Sequence, residues 1–173
     1  MVKKDTIHFV LTGGTIDSYY NGIKDTVVPN IESVIPNYIS GLKLHEAVEF
    51  TTVCMKDSRE ITSQDREKVL ICIEKSPHKN IIITHGTYTM PDTAKILKNK
   101  LKRKDQTIVF TGSMIPISGF TSSDGPFNLG YSLAKVQELS PGIYICMNGQ
   151  VFSPEEVIKS LYEGKFVSVF WEK

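Results

Sequence analysis

With 173 residues, 40% of them hydrophobic and 23% charged, the chain carries enough apolar material for one core and too little length for two ordinary domains, so a single domain over 1–173 is expected. Lys and Arg total 20 against 19 Asp and Glu, a formal charge of +1, which gives no general field for a nucleic acid or an anionic membrane surface. The partner to look for is a small molecule, with no nucleic acid and no membrane.

Taken in chain order, the first apolar run is Ile7 to Leu11, interrupted by His8 and stopped at Thr12-Gly13-Gly14-Thr15. That is the pattern of a strand, not of a signal-peptide core. Ile31 to Ile39 has helical spacing behind Asn30 as its cap, and Phe50 to Met55 reads as the second strand. Helical spacing returns over Thr62 to Lys75 and over Thr89 to Leu101, the latter with Pro91 in its first turn; strands Ile81 to Thr84 and Ile108 to Thr111 follow these helices. Phe127 to Leu139 forms a last helix behind Pro126, and Ile143 to Met147 and Phe166 to Trp171 complete the strands. Proline and hydroxyl residues at these starts are ordinary helix openers. The alternation predicts a three-layer αβα fold, a mostly parallel sheet with helices on both faces.

The basic run Lys98 to Lys104 sits where a helix ends, so it reads as solvated charge complementing the helix dipole. No run approaches the roughly 18 apolar residues of a membrane helix. Cys54, Cys72 and Cys146 are odd in number, widely spaced and set among apolar residues, which suits reduced thiols better than a disulfide framework or a zinc site. A cytoplasmic location follows by default.

Strands one, three and four end alike, in Thr12-Gly13-Gly14-Thr15, Thr84-His85-Gly86-Thr87 and Thr111-Gly112-Ser113. In an open α/β sheet ligands bind beyond the carboxyl ends of the strands. One glycine turn needs no more explanation than a tight reversal; three that carry hydroxyls point to a pocket. Together with Ser123-Asp124-Gly125-Pro126-Phe127-Asn128-Leu129 and the segment from Met147-Asn148 through Glu156-Val157 to Lys159, these blocks resemble in order and spacing the signature of the bacterial-type L-asparaginase family. The resemblance spans essentially the whole chain but only the family's N-terminal domain, so the smaller C-terminal domain is expected to be absent.

The resemblance implies a threonine-nucleophile amidohydrolase that cleaves a small carboxamide to acid plus ammonia, without metal or cofactor. It places the nucleophile at Thr15 and a second threonine at Thr87, paired with Lys159. A threonine hydroxyl needs such a neighbouring base, and a partly desolvated lysine can be one. The substrate-binding positions it implies are Gly14, Ser58, Arg59, Gly86, Tyr88 and Ser113. N–H groups at the Gly14 and Gly86 turns would hold the oxyanion, an effect commonly worth about 3 to 4 kcal/mol. A hydrolase triad of His85 and Asp17 with Ser18 or Ser113 is set aside, because no G-x-S-x-G elbow is present. Asp124 reads as a structural cap and His8 as a core or edge residue.

Two departures bear on substrate choice. The family places an aspartate after the second threonine, where it grips the substrate's α-ammonium; here that residue is Tyr88. After Ser58 the family's glutamine or serine is replaced by Arg59. If both line the pocket, free L-asparagine is disfavoured and an amide with a neutral or anionic neighbouring group is preferred, while loss of the aspartate eases deprotonation of Lys159. The family's loop tyrosine also has no counterpart, since Tyr19 and Tyr20 come too early and Asp25-Thr26-Val27-Val28 occupies the expected place. Self-association into a homodimer or higher homo-oligomer is expected, with Ser18 to Pro29 as contact or lid. The competing reading is a non-catalytic binding or sensor module on the same scaffold. A flavodoxin-like nucleotide site lacks both a P-loop lysine and a G-x-G-x-x-G.

Overall fold

The computed structural model describes residues 5–120 and 122–170. In chain order the elements are β1 (Ile7–Gly13), β2 (Ser18–Asn21), β3 (Thr26–Pro29), α1 (Ile35–Gly41), β4 (Val48–Lys56), α2 (Ser63–Lys75), β5 (Asn80–Thr84), α3 (Met90–Lys100), β6 (Thr107–Thr111), α4 (Gly125–Glu138), β7 (Gly142–Met147), β8 (Gln150–Phe152), β9 (Val157–Ser160) and β10 (Lys165–Ser168). The main sheet has the order β4-β1-β5-β6-β7-β8, parallel throughout except for β8, which returns antiparallel to β7.

All seven residues of β1 are buried, as expected for a central parallel strand covered on both faces. Alternation along the strands divides the core. Ile7, Phe9, Leu11 and Ile82 pack with Ile35 and Ile39 of α1 and Leu129, Leu133 and Val136 of α4. Val10, Ile81 and Ile83 pack with Val69 and Ile73 of α2 and Met90, Ala94 and Leu97 of α3. The three-layer αβα arrangement is therefore present. Helix α2 starts with a capping box, in which the Thr62 side chain accepts from Asp65 N–H and the Asp65 carboxylate accepts from Thr62 N–H, an arrangement typically worth about 1 kcal/mol.

Two expectations are corrected. Helix α1 begins at Ile35 with Val34 as cap, not behind Asn30, because Pro36 is tolerated only in a helix's first turn; Asn30 instead donates to the buried Asp17 carboxylate, 3.2 Å away. The last strand does not extend the main sheet: β10 pairs antiparallel with β9 in a separate two-stranded sheet. The Asn148-Gly149 turn, with φ of 54° and 75°, folds β8 back on β7 and occupies that edge. Such Asn-Gly pairs are strong hairpin formers. Trp171, the expected end of the last strand, lies outside the described residues.

Strand order fixes where a ligand can enter. The chain passes from β1 to β4 on one side of β1, whereas β5 and β6 lie on the other. Loops leaving the carboxyl ends of β1 and β5 thus part in opposite directions, and a crevice opens between them.

Candidate active site

The strand ends at that crevice are stitched together by their own threonines. Thr12 donates its hydroxyl to the Thr84 carbonyl at 2.8 Å, and Thr111 to the Cys146 carbonyl at 3.0 Å. Backbone N–H of Gly14 bonds Lys56 O at 2.8 Å and that of His85 bonds Thr111 O at 2.9 Å. The glycines permit this proximity. Gly14 has φ +81°, and a Cβ there would lie 2.4 Å from Gly86 N; a Cβ on Gly86 would lie 2.7 Å from Ser58 Cβ. The turns after β1, β5 and β4 are therefore in direct contact, which no side chain at Gly14 or Gly86 would allow.

On this platform the structure pairs Thr87 with Lys159. Lys159 Nζ, supplied by β9, donates to Thr87 Oγ at 2.7 Å across 72 residues of sequence, and Thr87 is buried. Burial pushes the Lys159 ammonium below its ordinary pKa, and the Arg59 guanidinium pushes the same way; Asp57 and Asp124 oppose them. Lys159 Nζ also lies 4.1 Å from the Tyr88 ring centroid and the Arg59 guanidinium carbon 4.9 Å from it, so two cations share one aromatic ring. Arg59 is itself held in a fork by Asp57, Nε to Oδ1 at 2.9 Å and Nη2 to Oδ2 at 3.0 Å. Those bonds hold the Asp57 carboxyl below the usual range.

The remaining sequence-predicted residues take distinct places. Thr15 opens the short 3-10 turn Thr15–Asp17 directly after Gly14, and among the described residues its hydroxyl has no hydrogen-bond partner. Ser58 is buried against Gly86 and its carbonyl accepts from the Thr89 hydroxyl at 2.8 Å. Tyr88 is 51% exposed. Ser113 is fully buried and its hydroxyl donates to Ile115 O at 2.6 Å. His85 is buried, with Nδ1–H donating to Gly86 O at 2.8 Å, and burial pulls its pKa down to about 4; it is a neutral brace. Asp17 accepts from Val34 N at 2.8 Å and Ser18 donates to Gly14 O at 2.7 Å, so neither forms a triad with His85. Tyr19 and Tyr20 stand on the β2–β3 hairpin, where Tyr20 bonds Asp25.

Asp124, Asn128 and Asn148 carry a role that the sequence alone does not announce. Asp124 does not cap α4 through its side chain; its carboxylate accepts from Met114 N, Ile115 N and Asn128 Nδ2. Asn128 then donates to Gly112 O at 3.0 Å and accepts from Asn148 N at 3.1 Å, and Asn148 Oδ1 accepts from Phe166 N at 2.9 Å. This relay fastens the β9–β10 hairpin, and with it Lys159, to the turn after β6. The sequence signal available was the Asn-Gly pair and an asparagine one helical turn beyond Asp124.

Among the described residues no group of His, Cys, Asp or Glu is arranged to hold a metal, and no helix is long and apolar enough to cross a membrane.

Comparison with known proteins bears on these observations. Residues 6–164 match the family model described as Asparaginase, N-terminal. The Glutaminase-asparaginase of Acinetobacter glutaminasificans is 31% identical over 171 residues, covering 91% of this chain and 50% of that protein. Among solved structures, the thermostable L-asparaginase from Thermococcus kodakarensis matches with a TM-score of 0.81 at 26% identity, over 96% of this chain and 52% of that one. The probable cytoplasmic L-asparaginase from Campylobacter jejuni matches with a TM-score of 0.80 at 28% identity, over 95% and 52%. The chain spans about half the length of the curated relatives it matches.

Proposed function

The chain belongs to the asparaginase family, matching its N-terminal domain, and from that premise we propose that it is a threonine-dependent amidohydrolase with altered substrate choice. The observation that carries this reading is the 2.7 Å contact between Lys159 Nζ and Thr87 Oγ, joined to a lysine whose neutral form is made more accessible by burial. A hydroxyl is nucleophilic only when a base takes its proton. A threonine oxygen attacks the carboxamide carbon, a C–O bond forms, the C–N bond breaks, and the nitrogen takes the proton and leaves as ammonia. Water then hydrolyses the threonine ester to the acid. Backbone N–H groups at the glycine turns are the candidates for the oxyanion.

Thr15 is the nucleophile by analogy with the family, with Thr87 and Lys159 moving the proton. A second assignment is favoured by one observation: Thr87, not Thr15, is the hydroxyl bonded to a base. Mass spectrometry of the trapped acyl-enzyme separates the two, because the added mass lies on a peptide containing Thr15 in one case and Thr87 in the other.

The altered substrate choice rests on charge. The family's carboxylate is replaced by Tyr88, flanked by Lys159 and Arg59, so the α-ammonium of free asparagine meets cations where it would need an anion. Homodimer formation belongs to the same reading, supported by the exposure of Tyr162 and Phe170. A cytoplasmic location is supported by the free state of Cys54, Cys72 and Cys146 and by the C. jejuni relative being termed cytoplasmic.

The test is an ammonia-release screen over asparagine, glutamine, N-acylated and des-amino amides. Thr87→Val and Lys159→Met are expected to lower turnover at least 100-fold, in the range of general acid–base contributions, and Tyr88→Asp with Arg59→Gln to raise activity on asparagine. Ammonia release that survives Lys159→Met overturns the mechanism. The binding-module reading gains if no amide is turned over while amides still bind.

A further inference from the structure

Behind Tyr88, on the α3 side, lies a groove of about 260 Å³, room for about eight waters at their liquid volume. Tyr88 and Lys159 both line it, so it adjoins the lysine that bonds Thr87. Pro91 of α3 and Val157 and Ile158 of β9 form its floor and wall, and Leu161, just beyond β9, its outer rim. Pro91 and Val157 are already buried, but Ile158 is 50% and Leu161 71% exposed. An apolar wall left in water next to a reactive pair is a surface that a ligand covers at a gain.

Resting on the amidohydrolase reading above, we infer that this groove is a subsite for an apolar extension of the substrate, and that the chain's amides carry a hydrocarbon or aromatic group beyond the carboxamide. Three features of the groove decide this. The first is adjacency, because Lys159, which bonds Thr87, and Tyr88, the residue after Thr87, both line the groove. The second is chemistry: Asp92 and Lys95 lie one helical turn apart on α3 with opposite charges, which leaves Lys159 as the groove's net charge and Pro91, Val157, Ile158 and Leu161 as its apolar surface. The third is size, since the volume far exceeds what the short side chain of asparagine would fill.

The experiment compares acetamide, butanamide and 3-phenylpropanamide with the full chain. Turnover, as kcat/KM, is expected to rise about tenfold along the series, equivalent to about 1.4 kcal/mol, and Leu161→Asp is expected to collapse that ratio. In parallel, ¹³C-methyl NMR of Ile158 and Leu161 is followed while 3-phenylpropanamide is added to the Thr87→Val variant, which cannot be confused by turnover. Movement of both methyl signals supports the subsite even if the wild-type chain releases no ammonia, an outcome that would sink the hydrolase reading alone. A flat series that Leu161→Asp leaves flat overturns the subsite, and so do methyl signals that stay fixed at saturating amide. A Leu161→Asp variant that changes sedimentation but not the amide ratio assigns this wall to a second copy of the chain and likewise overturns it.

Discussion

Replacing Arg59 by glutamine tests how the site sets the basicity of Lys159. The two cations lie 4.9 and 4.1 Å from one ring centroid, so their charges are at most about 9 Å apart, and Coulomb's law then gives at least about 0.5 kcal/mol of repulsion in water and about 2 kcal/mol at an effective dielectric near 20. The Arg59 side chain is 65% exposed, which argues for the lower part of that range because solvent and salt screen it. Removing that repulsion produces a shift in the Lys159 pKa. Its direction is upward: the guanidinium opposes the ammonium and Asp57 favours it, so removing Arg59 deletes the opposing charge and frees the Asp57 carboxylate from its fork. A ¹³Cε titration of Lys159 reads this without any substrate. The acid limb of kcat/KM, where the neutral amine is the base, is expected to move to higher pH by the same amount. A Lys159 pKa that stays within about 0.2 unit of wild type, or falls, refutes the idea that the Arg59–Asp57 pair tunes it.

Three further outcomes are expected. His85 has a folded pKa of about 4 against an ordinary 6.5, so the unfolded chain binds its proton first as pH falls; stability is fully present above pH 6.5 and declines toward pH 4 by about 3 kcal/mol. Urea melts across that window should show the slope, with buried His8 adding in the same direction, and His85→Gln should flatten it. Gly14→Ala combines φ +81° with a Cβ 2.4 Å from Gly86 N and should cost roughly 3 kcal/mol or more, whereas Gly119→Ala, at φ +80° with nothing within 4 Å, should cost only strain of about 1 kcal/mol. Asn148→Gly keeps the left-handed backbone but removes the acceptor of Phe166 N–H, a loss of about 1 to 3 kcal/mol that should appear as faster amide exchange over Lys165–Ser168.

What was legible in the sequence was what hydrophobic period and glycine chemistry dictate. The five parallel strands and all four helices announce themselves because each turns an apolar face to the core, β4 at the sheet edge only half-buried, and Thr62 or Pro91 marks where a helix must start. The order of the blocks singles out Lys159, and its hydrogen bond to Thr87 is a contact, not a role. Short strands were less legible. Residues 157–160 show a lysine but no conformation in the sequence, because four residues carry too little period to separate a strand from a helix turn. The β2–β3 hairpin is absent from the strands the sequence suggests, because Tyr19 and Tyr20 are exposed and Val27 and Val28 only half-buried, so no buried face betrays it. The role of Asp57 was invisible for another reason: a residue two places from Arg59 reveals nothing of whether its carboxylate faces the guanidinium.

That last contact alters how specificity is to be reasoned. From sequence, Arg59 looks like a carboxylate receptor, since a guanidinium fork binds carboxylates with paired hydrogen bonds. In the folded chain Asp57 already fills two positions of that fork, so an incoming carboxylate must displace an intramolecular one, and the gain nearly cancels. Around Tyr88 stand Lys159 and Arg59, with Asp57 and Asp124 both acting on Lys159, so the two signs nearly balance and an anion is offered no open fork. Neutral surroundings are the one partner that neither loses a hydrogen-bonded charge nor meets a like one. Within the proposed amidohydrolase reading, that balance supports, independently of the groove beyond Tyr88, amides whose remaining groups are uncharged.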